Sequence, residues 1–269
     1  MASPIPKTIA IIAGAGPGTG AAIARRFAQT YPVVLLARSQ TSLDPLVREI
    51  DQTKGKGSAL GIPTDVTDPQ SVESTMTAIK THYGADLNIA AAVFNVASKF
   101  VRKPFLESEG EEFLGSLEGT ARGAFQFARA VLPLMRESQD GKGQGQGQEY
   151  PSTLIFTGAT ASLKGGSGLG SFAMSKFAVR AMAQSLAREF GPKGIHVAHA
   201  VIDGIIDIEK TKGFMDDRPD AKIDPNWVGD VELLLLLHDK IAEAYWFLHT
   251  QPKSAFTQEL DLRPHAETW

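Results

Sequence analysis

Ala13-Gly14-Ala15-Gly16-Pro17-Gly18-Thr19-Gly20 is the stretch whose reading decides the fold. A short apolar run, Lys7–Ala13, precedes it and stops at the first glycine. A helical pattern follows at once, with Ala21, Ile23, Ala24, Phe27 and Ala28 on one face. Strand, glycine-rich turn and helix in that order is the context that gives such a turn a meaning. Glycine keeps the turn tight and lets backbone come close to a pyrophosphate, and the helix N-terminus offers free N–H groups to the anion. Gly14, Gly16, Pro17, Gly18, Thr19 and Gly20 are therefore the expected phosphate contacts of a dinucleotide. The second apolar run, Val33–Ala37, ends at Arg38-Ser39. An NAD site usually carries an acid here to bond the ribose 2′-hydroxyl, and none is present. Arg38, with Ser39 beside it, suits a 2′-phosphate, so the expected cofactor is NADP(H) in preference to NAD(H).

The alternation continues outward. Ser42–Ile50 reads as a helix, Ala59–Ile62 as a weak strand, and Ser71–His82 as a helix with Asp68 as N-cap and Pro69 in its first turn. Leu87–Asn95, Thr153–Thr157, His196–Ile202 and Ala255–Leu262 read as further strands. Helices are expected over Glu111–Met135, Phe172–Phe190 and Val231–Thr250. Continuously apolar strands are buried on both faces. Alternated with helices, they give an α/β fold: a Rossmann-type doubly wound parallel sheet of about seven strands, in one domain over 1–269. The low-complexity run at 140–148 (DGKGQGQGQ begins at Asp140) is expected to be a flexible surface insertion. Residues 205–227 carry mixed charge, Pro219 and Pro225 and no clear period, and are expected to form a substrate lid.

Composition narrows the function. The 269 residues are 43% hydrophobic and 21% charged, with a formal net charge of −3. No basic surplus or Lys/Arg run interleaved with aromatics points to nucleic acid. Cysteine is absent, which excludes disulfides, thiolate nucleophiles and thiolate-bound metal. No apolar run reaches the roughly 18 residues of a membrane helix. The first strand begins near Lys7, so no signal or transit peptide is expected, and the expected location is the cytoplasm. The six histidines show no metal-ligand spacing, and no metal is expected. His196 and His199 stand three apart on one strand and so point to opposite faces. No G-x-S-x-G elbow is present.

Further motifs extend the pattern. Asp65-Val66 follows the third strand, Asn95-Val96-Ala97 ends the fourth, Phe172 and Lys176 open a long helix, and Asp203-Gly204 follows the sixth strand. With the spacing Gly14, Gly18, Gly20, these resemble the short-chain dehydrogenase/reductase family along nearly the whole chain. The resemblance implies that Asp65 and Val66 contact adenine, that Asn95, Val96 and Ala97 line the cofactor cleft, and that Lys176, Gly204 and Ile206 lie on its nicotinamide side. It also implies a homodimer or homotetramer formed through the helices around Glu111–Met135 and Phe172–Phe190. The departures concern catalysis. Phe172 stands where the family has its tyrosine acid, Ala159 where it has serine, and Thr120 where it has the helix asparagine. Lys176 alone is kept.

A phenyl ring cannot donate a proton, and a methyl group cannot stabilise an oxyanion. Loss of one oxyanion donor costs on the order of 10²–10³ in rate, and loss of the general acid a further ~10²–10⁴. Carbonyl reduction by the usual relay is therefore not expected. Three readings remain. The protein is an oxidoreductase on a small organic substrate with a non-standard site, acting on an acceptor such as an iminium that needs no acid, or using another donor. Asp203 and Asp207 are candidates for that donor, as are the hydroxyls of Ser98, Thr157, Thr160 and Ser162. Alternatively the fold runs an isomerisation, dehydration or cyclisation with the dinucleotide as scaffold, or it senses NADP(H) and catalyses nothing. Lys99, Arg102 and Lys103 are candidate contacts for an anionic substrate. Trp227, Tyr245, Trp246 and Phe247 are candidate pocket aromatics.

Overall fold

The computed structural model describes residues 8–97, 100–139, 149–206, 222–223 and 240–265. Seven parallel strands form one sheet: β1 (Thr8–Ala13), β2 (Val33–Ala37), β3 (Ala59–Pro63), β4 (Asn88–Phe94), β5 (Thr153–Thr157), β6 (His196–Ile202) and, last in sequence, β9 (Glu259–Leu262). Their order across the sheet is β3-β2-β1-β4-β5-β6-β9. The chain is thus a doubly wound Rossmann-type α/β fold with the strand number the sequence predicts. A separate two-stranded pair joins β7 (Ile205–Ile206) to β8 (Lys222–Ile223).

The central strands are buried on both faces because each face meets a layer of helices. On β1, Ala10 and Ile12 enter one apolar cluster while Ile9 and Ile11 enter the other. The first cluster takes α1 (Thr19–Phe27), α2 (Gln40–Lys54) and α7 (Lys240–His249). The second takes α3 (Pro69–Tyr83), α5 (Gly123–Gln139) and α6 (Gly170–Phe190). Asp68 caps α3, its carboxylate accepting the Gln70 N–H at 3.0 Å, with Pro69 at the first helical position where a missing N–H costs nothing.

The long helix expected over Glu111–Met135 is interrupted. α4 (Gly110–Leu117) passes into a π turn over Glu118–Arg122 before α5 continues. Gly119 and Gly123 weaken the helix locally, and a Cβ on Gly123 would lie 2.9 Å from Val66 Cγ2. The helix approaches the Asp65-Val66 corner too closely for a larger residue there. The last strand is shorter than Ala255–Leu262 because the chain from Pro252 to Ala255 turns before pairing begins. The expected insertion at 140–148, residues 207–221 and 224–227 of the expected lid, and the first part of the helix expected at Val231–Thr250 lie outside the described residues. Among the described residues, no helix is long and apolar enough to cross a membrane.

Candidate active site

The glycine turn sits where the strand order reverses, between β1 and β4, the position at which open α/β sheets bind ligands. The N–H groups of Gly14 and Ala15 both donate to Leu36 O, at 2.8 and 3.1 Å, which fastens the turn to the end of β2. Gly14 has φ +85°, and a Cβ there would fall 2.5 Å from Asn95 O. A Cβ on Gly20 would fall 2.0 Å from Gly14 O. These two glycines let α1 close on the strand ends. Gly16 differs, since a Cβ there meets nothing within 4 Å. α1 has no side-chain cap at its N-terminus, so its first amides and the open side of the turn form a cradle that fits a pyrophosphate.

Asn95 is half-buried and holds this corner, donating from Nδ2 to Gly14 O at 3.2 Å and from its backbone to Ala13 O at 2.9 Å. Val96 is half-buried and Ala97 exposed. At the far side of the cradle Val66 is buried, whereas Asp65 is exposed. The Asp65 carboxylate accepts from the Thr67 hydroxyl at 2.7 Å and the Thr67 N–H at 2.9 Å. Those bonds hold its pKa below the usual value, with a smaller contribution from the Arg38 charge. Arg38 and Ser39 are exposed at the end of β2. Among the described residues the Arg38 guanidinium makes no hydrogen bond or ion pair, so it is available to an anion.

Lys176 lies on α6 and is buried. Its Nζ donates to Thr157 O at 3.0 Å, fastening the helix to the end of β5 two residues before Ala159. Burial pushes its pKa down to about 8. Phe172, one turn earlier, is half-buried, with its ring centroid 5.9 Å from Lys176 Nζ. Phe100 packs edge-to-face on it at 5.2 Å. Where an acid is expected, the site therefore presents an aromatic wall. Ala159 is half-buried and donates its N–H to Ser162 Oγ at 3.1 Å. Thr120 is fully buried in the π turn, which packs against α6. Nearby, Ser116 Oγ donates to Ser175 Oγ at 3.3 Å.

Asp203 is not arranged as a proton donor. It is buried, one carboxylate oxygen accepts the Thr160 hydroxyl, and the other lies 3.1 Å from Arg263 Nη2. With both oxygens accepting, it ties the loop after β5 to the ends of β6 and β9. Of the other candidate hydroxyls, Thr157 Oγ1 bonds Tyr245 Oη at 2.8 Å on the α7 side of the sheet, whereas Ser162 Oγ accepts from Ala159 and keeps its own O–H to donate. Ser98, Lys99, Asp207 and Trp227 lie outside the described residues. Lys103 pairs with Glu112 at 2.9 Å. Tyr245 is core, and Trp246 packs edge-to-face on Phe27 with Arg26 4.1 Å over it, so neither faces this site. Gly204 is half-buried, and Ile206 pairs with Ile223 in the small sheet.

The sequence did not single out the partners of His199. It is fully buried beneath α6, with Nδ1 bonded to Glu259 at 2.9 Å, and Glu259 grips Arg180 with two bonds of 2.7 Å. Three residues from α6, β6 and β9 meet, and only the presence of a histidine inside an apolar strand hinted at it.

A glycine turn at the β1/β4 switch point and a buried lysine on α6 tied to the end of β5 are set in a doubly wound sheet of the class to which many oxidoreductases belong. A family model described as enoyl-(acyl carrier protein) reductase matches residues 14–259, and the chain belongs to the short-chain dehydrogenase/reductase family. It is 26% identical over 258 residues to an uncharacterized oxidoreductase of Staphylococcus aureus, covering 95% of this chain and 96% of the other. A short-chain dehydrogenase from Rhodopseudomonas palustris is 33% identical, with a TM-score of 0.69, over 96% of this chain and 98% of that one. The fold is shared with a 3-ketoacyl-(acyl-carrier-protein) reductase from Brucella melitensis complexed with NADH, 23% identical with a TM-score of 0.76 over 97% and 98% of the two chains.

Proposed function

We propose that the protein is an NADP(H)-dependent oxidoreductase that acts on a small organic substrate without a tyrosine–serine relay. The observation that carries this reading is the buried Lys176, anchored to Thr157 O beside the intact cradle while Phe172 and Ala159 line the same end of the sheet. A bound nicotinamide supplies or accepts the hydride. The amides of the Gly14–Gly20 turn hold the pyrophosphate, Arg38 and Ser39 hold the 2′-phosphate, Asp65 and Val66 flank adenine, and Lys176 holds the nicotinamide ribose. Asn95, Val96, Ala97, Gly204 and Ile206 complete the walls. A bound dinucleotide in the Brucella reductase supports the same use of the fold.

The substrate end is apolar. Phe172, with Phe100 packed edge-to-face on it, gives an apolar face against which a ring packs. Ala159 offers no donor to a developing oxyanion, so the site favours an acceptor whose reduction develops none and needs no proton, namely an iminium ion, whose positive charge the hydride neutralises to leave an amine. A homo-oligomer through α4, α5 and α6 is supported by the exposed Leu114, Phe125 and Phe177 on those helices.

The test is NADPH consumption by the purified protein with imines, activated alkenes and ketones in parallel. Turnover of imines, as their iminium ions, and of neither other class is expected. Product without NADPH loss would replace this reading by non-redox chemistry on the same scaffold, and tight NADPH binding with no turnover of any class by a sensing role.

A further inference from the structure

The loop that follows β4 and the loop that precedes α6 close on each other next to Phe172. The Lys103 N–H donates to Gly168 O at 2.9 Å, and a Cβ on Gly168, which has φ +74°, would fall 3.3 Å from Lys103 O. At the start of α6, a Cβ on Gly170 would fall 3.2 Å from the Phe113 ring. Glycine at both positions lets the loops lie this close. Between them is a cavity of about 220 Å³, walled by Val101, Phe105, Phe113 and the glycines Gly166, Gly168 and Gly170. Phe105 and Phe113 meet edge-to-face with centroids 5.7 Å apart. The cavity adjoins the apolar face of the candidate site along both chain segments. Val101 follows Phe100, whose ring packs on Phe172, and Ser171, also in the wall, precedes Phe172.

The polar side chains of this wall are matched within the protein. Lys103 Nζ pairs with Glu112 at 2.9 Å. Ser108 donates its O–H to Pro104 O at 3.2 Å, and Ser171 donates its own to Phe113 O. Lys103 is therefore not a waiting receptor for an anion, and Glu107 and Glu109 lie within electrostatic reach of it as well. Arg102 is exposed and does not line the cavity. A charged group entering here would compete with the Lys103–Glu112 pair, whereas an uncharged one displaces nothing.

We infer that this cavity holds an uncharged apolar arm of the substrate, an aryl group, while the reacting C=N bond lies against Phe172. The inference rests on the reading of iminium reduction and narrows its substrate to an iminium ion that carries an aryl arm. Size sets the arm. Pockets for whole ligands run roughly 300–1,000 Å³, whereas an apolar cavity of roughly 150 Å³ takes a benzene ring. The cavity is thus one compartment of a larger site. Geometry sets the ring, since an entering aryl group continues the edge-to-face packing that Phe105 and Phe113 begin. Phe100, Phe105 and Leu106 are all exposed in the same loop, with Phe105 at 73%, and an arm seated against Phe105 covers apolar surface that water otherwise meets.

The test measures by calorimetry the binding of three product-like amines to the full-length protein, with and without NADP+: 2-methylpyrrolidine, 2-(2-phenylethyl)pyrrolidine and 2-(2-carboxyethyl)pyrrolidine. The phenylethyl amine is expected to bind at least about tenfold more tightly than the methyl one, as burial of most of a phenyl ring gives. The carboxyethyl amine is expected to bind no more tightly than the methyl one. Phe105→Ala removes an exposed wall without opening the core, and Val101→Trp fills the cavity. Each is expected to reduce the phenyl preference to about threefold or less. Equal affinity of the methyl and phenylethyl amines, binding by none of the three, a preference for the carboxyethyl amine, or a phenyl preference that both variants keep overturns the proposal. NADPH consumption with the corresponding imines is read separately. A phenyl preference in binding without turnover leaves the cavity assigned and removes the reductase reading, and turnover of 2-methyl-1-pyrroline without any phenyl preference does the reverse.

Discussion

Gly14 and Asn95 close on each other across the β1/β4 junction: Asn95 Nδ2 donates to Gly14 O at 3.2 Å, and a Cβ on Gly14 would stand 2.5 Å from the Asn95 carbonyl oxygen. Gly16, two residues on, faces open space. The two glycines should therefore fail differently. Gly14→Ala combines a φ of +85° with a backbone clash and should cost about 2–4 kcal/mol of stability. Gly16→Ala should leave stability within about 0.5 kcal/mol, yet weaken NADPH at least tenfold by placing a methyl group where the proposed pyrophosphate site opens. Thermal unfolding and NADPH fluorescence titration separate the two. Wild-type NADPH affinity in Gly16→Ala would mean that the open side of the turn does not face the cofactor.

Arg38 is exposed with its guanidinium uncommitted among the described residues, and it lies within electrostatic reach of Asp65. Arg38→Asp exchanges an attraction for a repulsion at the 2′-phosphate and introduces an acceptor for a 2′-hydroxyl. NADPH affinity should fall roughly tenfold or more, as expected for a lost charge-assisted pair of ~1.5–3 kcal/mol, while NADH affinity holds or rises. Parallel titrations with both nucleotides measure it, and an unchanged NADPH affinity would remove the 2′-phosphate role.

The sheet was legible because its signals are local. Runs such as Thr153–Thr157 and His196–Ile202 coincide with their strands, and the glycine turn follows β1 directly. The π turn was not legible, because its cause is tertiary: α5 must approach Val66 at Gly123, and no periodicity records that. In the site, the positions of Phe172, Ala159 and Lys176 follow from their motif spacing. What Asp203 does depends on Arg263, sixty residues on, and what His199 does depends on Arg180 and Glu259. Contacts among separate elements leave no pattern in one sequence.

Phe172 and Ala159 test how much of the pocket has diverged along with the relay. Phe172→Tyr restores a phenol one turn before Lys176, and Ala159→Ser restores a donor at the end of β5. Either substitution alone should remain near background with ketones. The double variant should show NADPH-dependent ketone reduction at least ~10²-fold above wild type, the lower range for a general acid. If the double variant binds NADPH and stays inactive, the pocket itself excludes carbonyl substrates.

Phe125 and Phe177 expose 49% and 41% of their surface on α5 and α6, apolar side chains that the proposed subunit interface would cover. The pair of substitutions Phe125→Lys and Phe177→Lys should shift the protein to a monomer in sedimentation, with little change in the stability of the subunit itself. A wild type that sediments as a monomer would end the oligomer proposal.

Lys176 links stability to pH in a direction that its role explains. Its pKa is about 8 in the folded protein against 10.5 as the ordinary value, through burial. Below pH 8 both folded and unfolded chains carry the proton, and the folded one bears the full penalty of a buried charge, roughly 3 kcal/mol from the size of that shift. From pH 8 upward the folded protein sheds the proton first, the unfolded state binds more, and this group's contribution to stability rises until the unfolded lysine also titrates near 10.5. The buried tyrosines Tyr31, Tyr83 and Tyr245, all shifted upward by burial, work against stability only once the unfolded phenols ionise near 10. Between about pH 8 and 10 the lysine term should therefore be readable. Lys176→Met should be more stable than wild type at pH 7 by about 1–2 kcal/mol, after loss of the Thr157 hydrogen bond is counted, and should lack the rise above pH 8. It should also bind NADPH at least tenfold more weakly. Urea unfolding at pH 7, 8 and 9.5 with NADPH titration of the same variant decides it: a destabilised Lys176→Met at pH 7 would make the lysine a structural brace, and a stabilised one that has lost its cofactor would show a buried charge kept for function at the expense of the fold.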